Sequence, residues 1–179
     1  MRKVLLLVVT LVSLCSYAQK GEKSVNLQLG YGTEIKNVGL GAKFAYNVTD
    51  AIRLAPSFDY FFKKDFVSNW DINVDAHYLF PIADKFKVYP LVGLTYSSWK
   101  ADLGGAIEDA IEDMGGYIED DGEDDGGSLN VTEGRFGMNV GAGIQYDINQ
   151  TWGVNFEFKY QIIKDFNQAV FNIGVAYKF

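Results

Sequence analysis

The stretch FNIGVAYKF, residues 171–179, decides the fold, because apolar residues occupy every second position along it. Side chains of a β-strand point alternately to its two faces. One face therefore carries Phe171, Ile173, Val175, Tyr177 and Phe179, and the other carries Asn172, Gly174, Ala176 and Lys178. A terminus that frays into solvent does not need such a pattern. The alternation predicts a strand with one face turned to an apolar environment.

The same alternation recurs seven more times upstream. Its apolar positions span residues 25–31, 38–46, 52–62, 70–80, 88–96, 136–146 and 152–162. No long helical periodicity interrupts these runs, and turn-forming residues separate them. Eight runs of about ten residues predict an all-β chain of eight strands.

The connections between the predicted strands alternate in length. Those at residues 47–50, 81–85 and 147–150 are tight, whereas the others are 33–37, 63–68, 164–168 and one very long segment. An even number of strands, with tight turns at one end and the longest loop at the other, is typical of an outer-membrane β-barrel. This predicts an antiparallel up-and-down barrel with its tight turns and chain ends on the periplasmic side.

The apolar faces are predicted to point outward, toward lipid. They carry 19 of the 27 aromatic residues, whereas many glycines fall on the polar faces. The interior of an eight-stranded barrel only just holds ordinary side chains, so small residues suit it and a crowd of rings does not. Aromatic ends around an aliphatic middle also match the two interfacial girdles of a membrane barrel. The alternative is a soluble secreted ligand-binding barrel, which would have its apolar face inside.

Residues 1–18 have the features of a cleavable signal peptide. Arg2 and Lys3 precede an apolar run at 4–14, and Ala18 supplies a small residue at the expected cleavage site. Cys15, the single cysteine, lies inside this segment, so the mature chain is predicted to contain neither thiol nor disulfide. The predicted barrel domain is 19–179, with a loop insertion at 100–133.

Together, the signal peptide, the eight amphipathic strands and the terminal aromatic residue resemble the small outer-membrane β-barrel family of Gram-negative bacteria, the OmpA/OmpX-like proteins with a porin-like fold. The resemblance implies an integral outer-membrane protein surrounded by lipid and lipopolysaccharide. It also implies that the barrel assembly machinery recognises the last strand, which ends in Phe179. Family members serve as anchors, adhesins, narrow pores or lipid enzymes, so the resemblance leaves the function open.

Ten charged residues are predicted to face the lumen: Lys43, Arg53, Asp59, Asp71, Asp75, Lys87, Arg135, Glu157, Lys159 and Lys178. They would form either an ion path or a packed network of ion pairs, and we favour the network because buried charges must be paired. Phe61, Leu79, Tyr89 and Leu91 fall on the same inner face, which favours a plugged interior.

His77 is the only histidine and is also predicted to lie in the lumen. A general base needs a nucleophile and an orienting carboxylate within reach. Asp75 and Ser57 are conceivable neighbours, but no spacing places them beside His77, and lipid enzymes need groups that the bilayer can reach. We therefore predict a structural histidine and no catalytic residue.

The long loop is strongly acidic: residues 101–133 contain twelve Asp and Glu and no Lys or Arg. Leu103, Ile107, Ile111 and Met114 have helical spacing, which predicts a short amphipathic helix there. Clustered carboxylates suit Ca²⁺, and the candidate ligands are Asp109, Glu112, Asp113, Glu119, Asp120, Asp121, Glu123, Asp124 and Asp125. The alternatives are a solvated acidic loop, a contact with a basic partner, or divalent bridging to lipopolysaccharide.

The sequence thus predicts a non-enzymatic outer-membrane barrel that anchors an acidic surface loop for binding a cation or a partner. A narrow porin-like channel is the main alternative, and a membrane lipid enzyme is a weaker one. We expect no cofactor other than Ca²⁺ and no nucleic-acid partner.

Overall fold

The computed structural model describes residues 20–104, 107, 110, 113, 130–164 and 167–179. These residues form nine β-strands, which are β1 (Lys23–Gly32), β2 (Asn37–Asn47), β3 (Ile52–Lys64), β4 (Val67–Tyr78), β5 (Phe80–Ala83), β6 (Phe86–Asp102), β7 (Asn130–Asp147), β8 (Trp152–Ile163) and β9 (Gln168–Lys178).

The strands close into an eight-membered antiparallel ring. Consecutive strands pair with each other except β4 and β5, β1 pairs with β9, and β4 pairs with β6. The short β5 continues the line of β4 past Leu79 and pairs only with β6. At this break the buried Leu79 donates its backbone N–H to the carbonyl of Ala51 at 2.7 Å. The predicted eight-stranded up-and-down barrel is confirmed, with its fourth strand interrupted once.

The apolar faces point outward, as the alternation predicted. Along β1, Leu27 is 69% exposed, whereas the next residue, Gln28, is 2% exposed. The same alternation of exposed apolar and buried polar residues runs along β8 and β9. A soluble ligand-binding barrel has the opposite arrangement, so that alternative is wrong.

Aromatic side chains form bands at both ends of the outer surface. At the end with the chain termini, here the turn end, the ring pairs are Tyr78–Phe80, Phe86–Tyr146 and Trp152–Tyr177, with centroids 4.7, 4.7 and 5.1 Å apart. At the opposite or loop end, the pairs are Trp70–Tyr96, Tyr96–Phe136 and Phe158–Phe171, at 5.7, 4.9 and 5.1 Å. Rings at both edges of an aliphatic belt place the barrel across a bilayer.

One predicted loop is much shorter than expected. The connection expected at 63–68 consists only of Asp65 and Phe66, because β3 extends to Lys64 and β4 begins at Val67. Both residues have positive φ, 47° and 63°, which is the backbone that a two-residue hairpin turn requires. The connections at the turn end are 48–51, 84–85 and 148–151, so they are tight as predicted.

The hairpin of β6 and β7 extends beyond β8 at the loop end, while β4 stays paired with β6 up to Ala101. β8 pairs with β7 only from Gly137 onward. β6 and β7 continue together from Ser97 opposite Arg135 to Asp102 opposite Asn130. At a rise of about 3.4 Å per residue, this extension is about 20 Å long. We call it the stalk.

Beyond the stalk, the described residues of the connection are Leu103, Gly104, Ile107, Ala110 and Asp113, all in helical conformation. Among the residues that the structure describes, no helix is both long and apolar enough to cross a membrane.

Candidate functional site

Glu157 on β8 holds one group of contacts inside the barrel. The Nζ atom of Lys43 lies 2.7 Å from both carboxylate oxygens of Glu157. The Tyr89 hydroxyl donates to Oε2 at 3.2 Å, and Nε2 of His77 lies 3.9 Å from the same oxygen. The His77 ring stacks on Tyr89, with centroids 4.6 Å apart. All four side chains are buried, so the lysine and the carboxylate each need the other's charge.

Asp59 on β3 holds a second group. Its Oδ1 accepts a hydrogen bond from Gln28 Nε2 at 2.6 Å. Its Oδ2 accepts from Asn73 Nδ2 at 3.1 Å and lies 3.4 Å from Nζ of the buried Lys159. This carboxylate therefore has both a neutral donor and a cationic partner.

Asp71 and Asp75 on β4 have neutral donors only. Gln161 Nε2 donates to Asp71 Oδ2 at 3.2 Å, and Asn139 Nδ2 donates to Asp75 Oδ1 at 2.8 Å. Both aspartates are fully buried. Within the described part of the chain, neither forms an ion pair at 4.0 Å or less.

Three of these carboxylates meet their neutral donors across a glycine. In each case the glycine lies on the middle strand of three, and the carboxylate and the donor occupy the same rung on the strands to either side. The three rungs are Gln28–Gly41–Asp59, Tyr89–Gly143–Glu157 and Asn139–Gly93–Asp75. A Cβ atom on any of these glycines would collide with a side chain above it, which is Asp59 at Gly41, Asp75 at Gly93 and Tyr89 at Gly143. We call them the glycine rungs.

Asp147 organises the lumen at the turn end. It accepts hydrogen bonds from Lys178 at 2.9 Å, Lys87 at 3.0 Å and Gln145 at 2.6 Å. Arg53 in turn donates from Nη1 to Gln145 Oε1 at 2.8 Å. Asp147 and the two lysines line an open vestibule of about 790 Å³.

An apolar plug closes the loop end of the lumen. It consists of Ile35, Phe61, Trp99 and Val170, all buried, with Val67 packed against them. The Phe61 ring lies on the barrel wall where glycines leave room for it: a Cβ on Gly39 would be 2.9 Å from the ring, and one on Gly32 would be 3.3 Å away. The interior is therefore polar and open at one end but apolar and closed at the other.

Nine of the ten predicted lumen charges are buried: Lys43, Arg53, Asp59, Asp71, Asp75, Lys87, Glu157, Lys159 and Lys178. Arg135 differs. Its side chain is 35% exposed and pairs with Glu133 at 3.2 Å on the stalk. Because β8 does not reach this level, Arg135 lies outside the buried network to which the alternation had assigned it.

His77 contacts Tyr89 and Glu157 rather than the suggested neighbours Asp75 and Ser57. Neither ring nitrogen has a hydrogen-bond partner among the described residues. In the described structure, the contacts of His77 include no serine, threonine or cysteine, and the ring is buried inside the barrel.

Most of the predicted calcium ligands lie outside the described residues: Asp109, Glu112, Glu119, Asp120, Asp121, Glu123, Asp124 and Asp125. The remaining one, Asp113, is helical and exposed. In the described ranges, no three His, Cys, Asp or Glu side chains are grouped so that they could hold a metal ion. The predicted signal peptide at 1–18 also lies outside the described residues.

Comparison with known families agrees with this architecture. A family model described as the outer membrane protein β-barrel domain matches residues 8–179. The chain belongs to this family. It is thus an outer-membrane β-barrel protein, as the resemblance implied, and its turn end is the periplasmic end. No curated protein matches the chain in sequence.

Several solved outer-membrane barrels share the fold. The N-terminal barrel domain of OprF from Pseudomonas aeruginosa is 17% identical, with a TM-score of 0.65 over 89% of this chain and 98% of that one. Neisserial surface protein A is 15% identical, with a TM-score of 0.64 over 90% and 98%. The attachment invasion locus protein Ail of Yersinia pestis is 16% identical, with a TM-score of 0.60 over 90% and 100%. At these identities the likeness concerns the fold alone.

Sequence reasoning did not anticipate two features of this outer-membrane barrel. The plug draws Ile35 from a connection and Trp99 from beyond the predicted end of its strand. The glycine rungs require the register between three strands, which alternation along one strand does not supply. The sequence signal for both was the set of glycines on the polar faces.

Proposed function

We propose that this outer-membrane barrel is a non-enzymatic surface protein that anchors the acidic segment 100–133 outside the cell for binding a cation or a partner. The stalk is the observation that supports this proposal. It extends about 20 Å beyond the level where β8 stops and leads directly into the acidic segment.

The base of the acidic segment is fastened to the barrel. Lys63 on β3 pairs with Asp102 at 2.7 Å, and the Asp102 N–H donates to the Phe66 carbonyl at 2.8 Å. Trp99 is held in the plug. A segment that starts from a fixed base is tethered at one place on the barrel, which favours binding over a purely solubilising role.

The chemistry of the segment suits hard cations and basic surfaces. Its candidate ligands are carboxylates, which Ca²⁺ prefers, and six of them fall within residues 119–125. The occupants we propose are Ca²⁺ itself, a basic protein partner, or lipopolysaccharide phosphates bridged through divalent ions. The barrel wall is surrounded by outer-membrane lipid.

Calcium titration by calorimetry of the detergent-refolded barrel tests this function. Two variants sharpen it. In one, residues 103–129 are replaced by a short turn that keeps the closing rung of Asp102 and Asn130. In the other, the six carboxylates within 119–125 become amides at unchanged length. We expect saturable heat in the wild type and none in either variant.

Saturable heat that persists in the amide variant would mean that calcium binds outside residues 119–125. Flat heats in all three proteins would contradict the calcium form of the proposal. The same proteins would then be compared for binding to a basic protein surface and to lipopolysaccharide, since a carboxylate-dependent loss of either would support the partner form.

A narrow channel is the second candidate function, and the polar lumen with its open vestibule is the observation that favours it. Paired lumen charges and the plug oppose it. Single-channel recording of the reconstituted barrel separates the two functions. Conductance steps that vanish when lumen charges are neutralised would support the channel.

We propose that the barrel is not a lipid enzyme, because His77 is buried beside Tyr89 and Glu157, with no serine, threonine or cysteine among its contacts in the described residues. Lipid turnover that His77→Ala abolishes would contradict this.

A further inference from the structure

The three glycine rungs differ in one respect. In two of them the carboxylate also has a lysine: Lys159 lies 3.4 Å from Asp59, and Lys43 lies 2.7 Å from Glu157. The third carboxylate, Asp75, has no Lys or Arg nitrogen within 4.0 Å in the described structure. Its negative charge is therefore not compensated by direct contact.

The free oxygen of Asp75 is fully enclosed. Oδ1 accepts from Asn139 at 2.8 Å and lies over Gly93, whereas Oδ2 has no hydrogen-bond partner among the described residues. The residue is 0% exposed. An isolated ionised carboxylate in such a place is costly, because burial removes its hydration without replacing it.

Asn139, which is hydrogen-bonded to Asp75, carries a second buried oxygen without a donor in the described structure. Its Nδ2 is used twice, toward Asp75 at 2.8 Å and toward Asn73 Oδ1 at 2.9 Å. Its Oδ1 is buried and has no partner in the described structure. A carboxylate oxygen and an amide oxygen on two bonded side chains thus both lack a donor. Oxygen atoms of these two types are ligands for hard cations.

We propose that a monovalent metal ion, Na⁺ or K⁺, binds between Asp75 Oδ2 and Asn139 Oδ1, in the role that a lysine ammonium has on the other two glycine rungs. A single carboxylate balances a single positive charge, which favours a monovalent over a divalent ion. The described residues also contain no three-carboxylate group for a divalent ion.

The charged neighbours of the site are already engaged. Lys159, Lys43 and Glu157 act on Asp75 electrostatically, but Lys159 is bonded to Asp59, and Lys43 is bonded to Glu157. The plug closes the extracellular end of the lumen, so the ion exchanges through the periplasmic vestibule. This inference is independent of the acidic segment.

The test uses the full-length barrel refolded in detergent with a chelator, in NaCl, KCl or N-methyl-D-glucamine chloride at equal ionic strength. The bulky organic cation cannot enter the site. We expect Na⁺ or K⁺ to shift the side-chain amide resonance of Asn139 saturably. An ion present at ten times its dissociation constant should lower the equilibrium unfolding constant about tenfold.

Asp75→Asn and Asp84→Asn form the matched pair of variants. Both remove one carboxylate charge, but Asp84 is exposed at the vestibule rim. Asp75→Asn should abolish the cation dependence of stability and leave the protein equally stable in all three salts. Asp84→Asn should keep the dependence of the wild type.

Two results would overturn the proposal. If the stability and the Asn139 resonance of the wild type are the same in all three salts, water or a proton occupies the site. Neither of these depends on which cation is present. A cation dependence retained in Asp75→Asn would place the ion elsewhere. If Asp75→Asn does not refold, the Asn139 resonance of the wild type decides the question alone.

Discussion

At the level of single residues, three glycines determine where three of the lumenal carboxylates are held. Gly41, Gly93 and Gly143 each leave the space in which two longer side chains meet. A glycine inside a strand weakens it, because it has no side chain to pack and loses more conformational entropy on folding. Here that cost is offset by a hydrogen bond between two buried polar side chains.

Gly143→Ala should destabilise the barrel by about 1–3 kcal/mol, the usual cost of overpacking a filled interior. The new Cβ would be 2.5 Å from the Tyr89 hydroxyl oxygen, displacing the ring from Glu157. Gly153→Ala is the control, because its nearest neighbours would be 3.2 Å away. Urea unfolding in detergent measures both, and equal losses would contradict the role given to Gly143.

We expect Lys43 and Glu157 to stabilise the barrel only when both charges are present. Glu157→Gln leaves the buried Lys43 ammonium without its counter-charge, so we expect a loss of about 3–5 kcal/mol. The double variant Lys43→Met/Glu157→Leu removes both charges and should lose less than Glu157→Gln alone. The same unfolding measurement compares them. A double variant that is less stable than the single one would show that the ion pair has a net stabilising value beyond avoiding an unpaired charge.

At the level of elements, the plug joins the turn after β1 to strands β3, β6 and β9. Ile35 reaches it from that turn, next to Lys36, whose φ is 53°. Apolar constrictions exclude water and ions without being physically blocked at every point. The plug therefore closes a lumen that is lined mainly by polar groups, with a second apolar cluster of Leu79, Tyr89 and Leu91.

Phe61→Ala should open the lumen, because it removes the ring that rests on Gly32 and Gly39. Planar-bilayer recordings should then show conductance steps that the wild type lacks. Phe62→Ala is the control, since Phe62 is the next residue along β3 and faces lipid. Conductance in the wild type, or equal conductance in both variants, would contradict a sealing role for the plug.

The strands and their two faces could be predicted from the sequence, whereas the interior contacts could not. Alternation placed Leu27 outside and Gln28 inside from local spacing alone. The same parity puts Trp99 inward, but only once β6 is known to extend past Tyr96. Arg135 has lumen parity too, yet β8 ends below it. Strand ends and register depend on the neighbouring strands, so contacts that depend on them need the structure.

At the level of the whole molecule, the strand pairs that close the barrel lie outside residues 103–129 of the acidic segment. β1 with β9 and β4 with β6 complete the ring, and the stalk is closed at Asp102 and Asn130. The barrel in which 103–129 is replaced by a short turn should therefore refold with the stability of the wild type and show the same mobility shift on unboiled gels. Failure to refold would show that the segment is part of the fold.

Substitution of Phe179 should affect the assembly of the barrel in cells much more than the stability of the refolded barrel. Phe179 exchanges backbone hydrogen bonds with Lys23, at 2.9 and 3.4 Å, and these do not involve its ring. Phe179 as a whole is 63% exposed, on the lipid-facing surface. Phe179→Ala should therefore change the stability of the detergent-refolded barrel by less than about 1 kcal/mol, the usual range for a surface substitution.

In cells the same substitution should sharply lower the amount of protein in the outer membrane, because the ring is proposed to be recognised by the assembly machinery. Phe171→Ala, on the same face of β9, is the control: it removes an equivalent ring, from a residue that is 40% exposed, away from the terminus. Outer-membrane fractions and refolding yields measure the two effects. Equal amounts of both variants in the outer membrane would mean that Phe179 contributes only its lipid-facing surface.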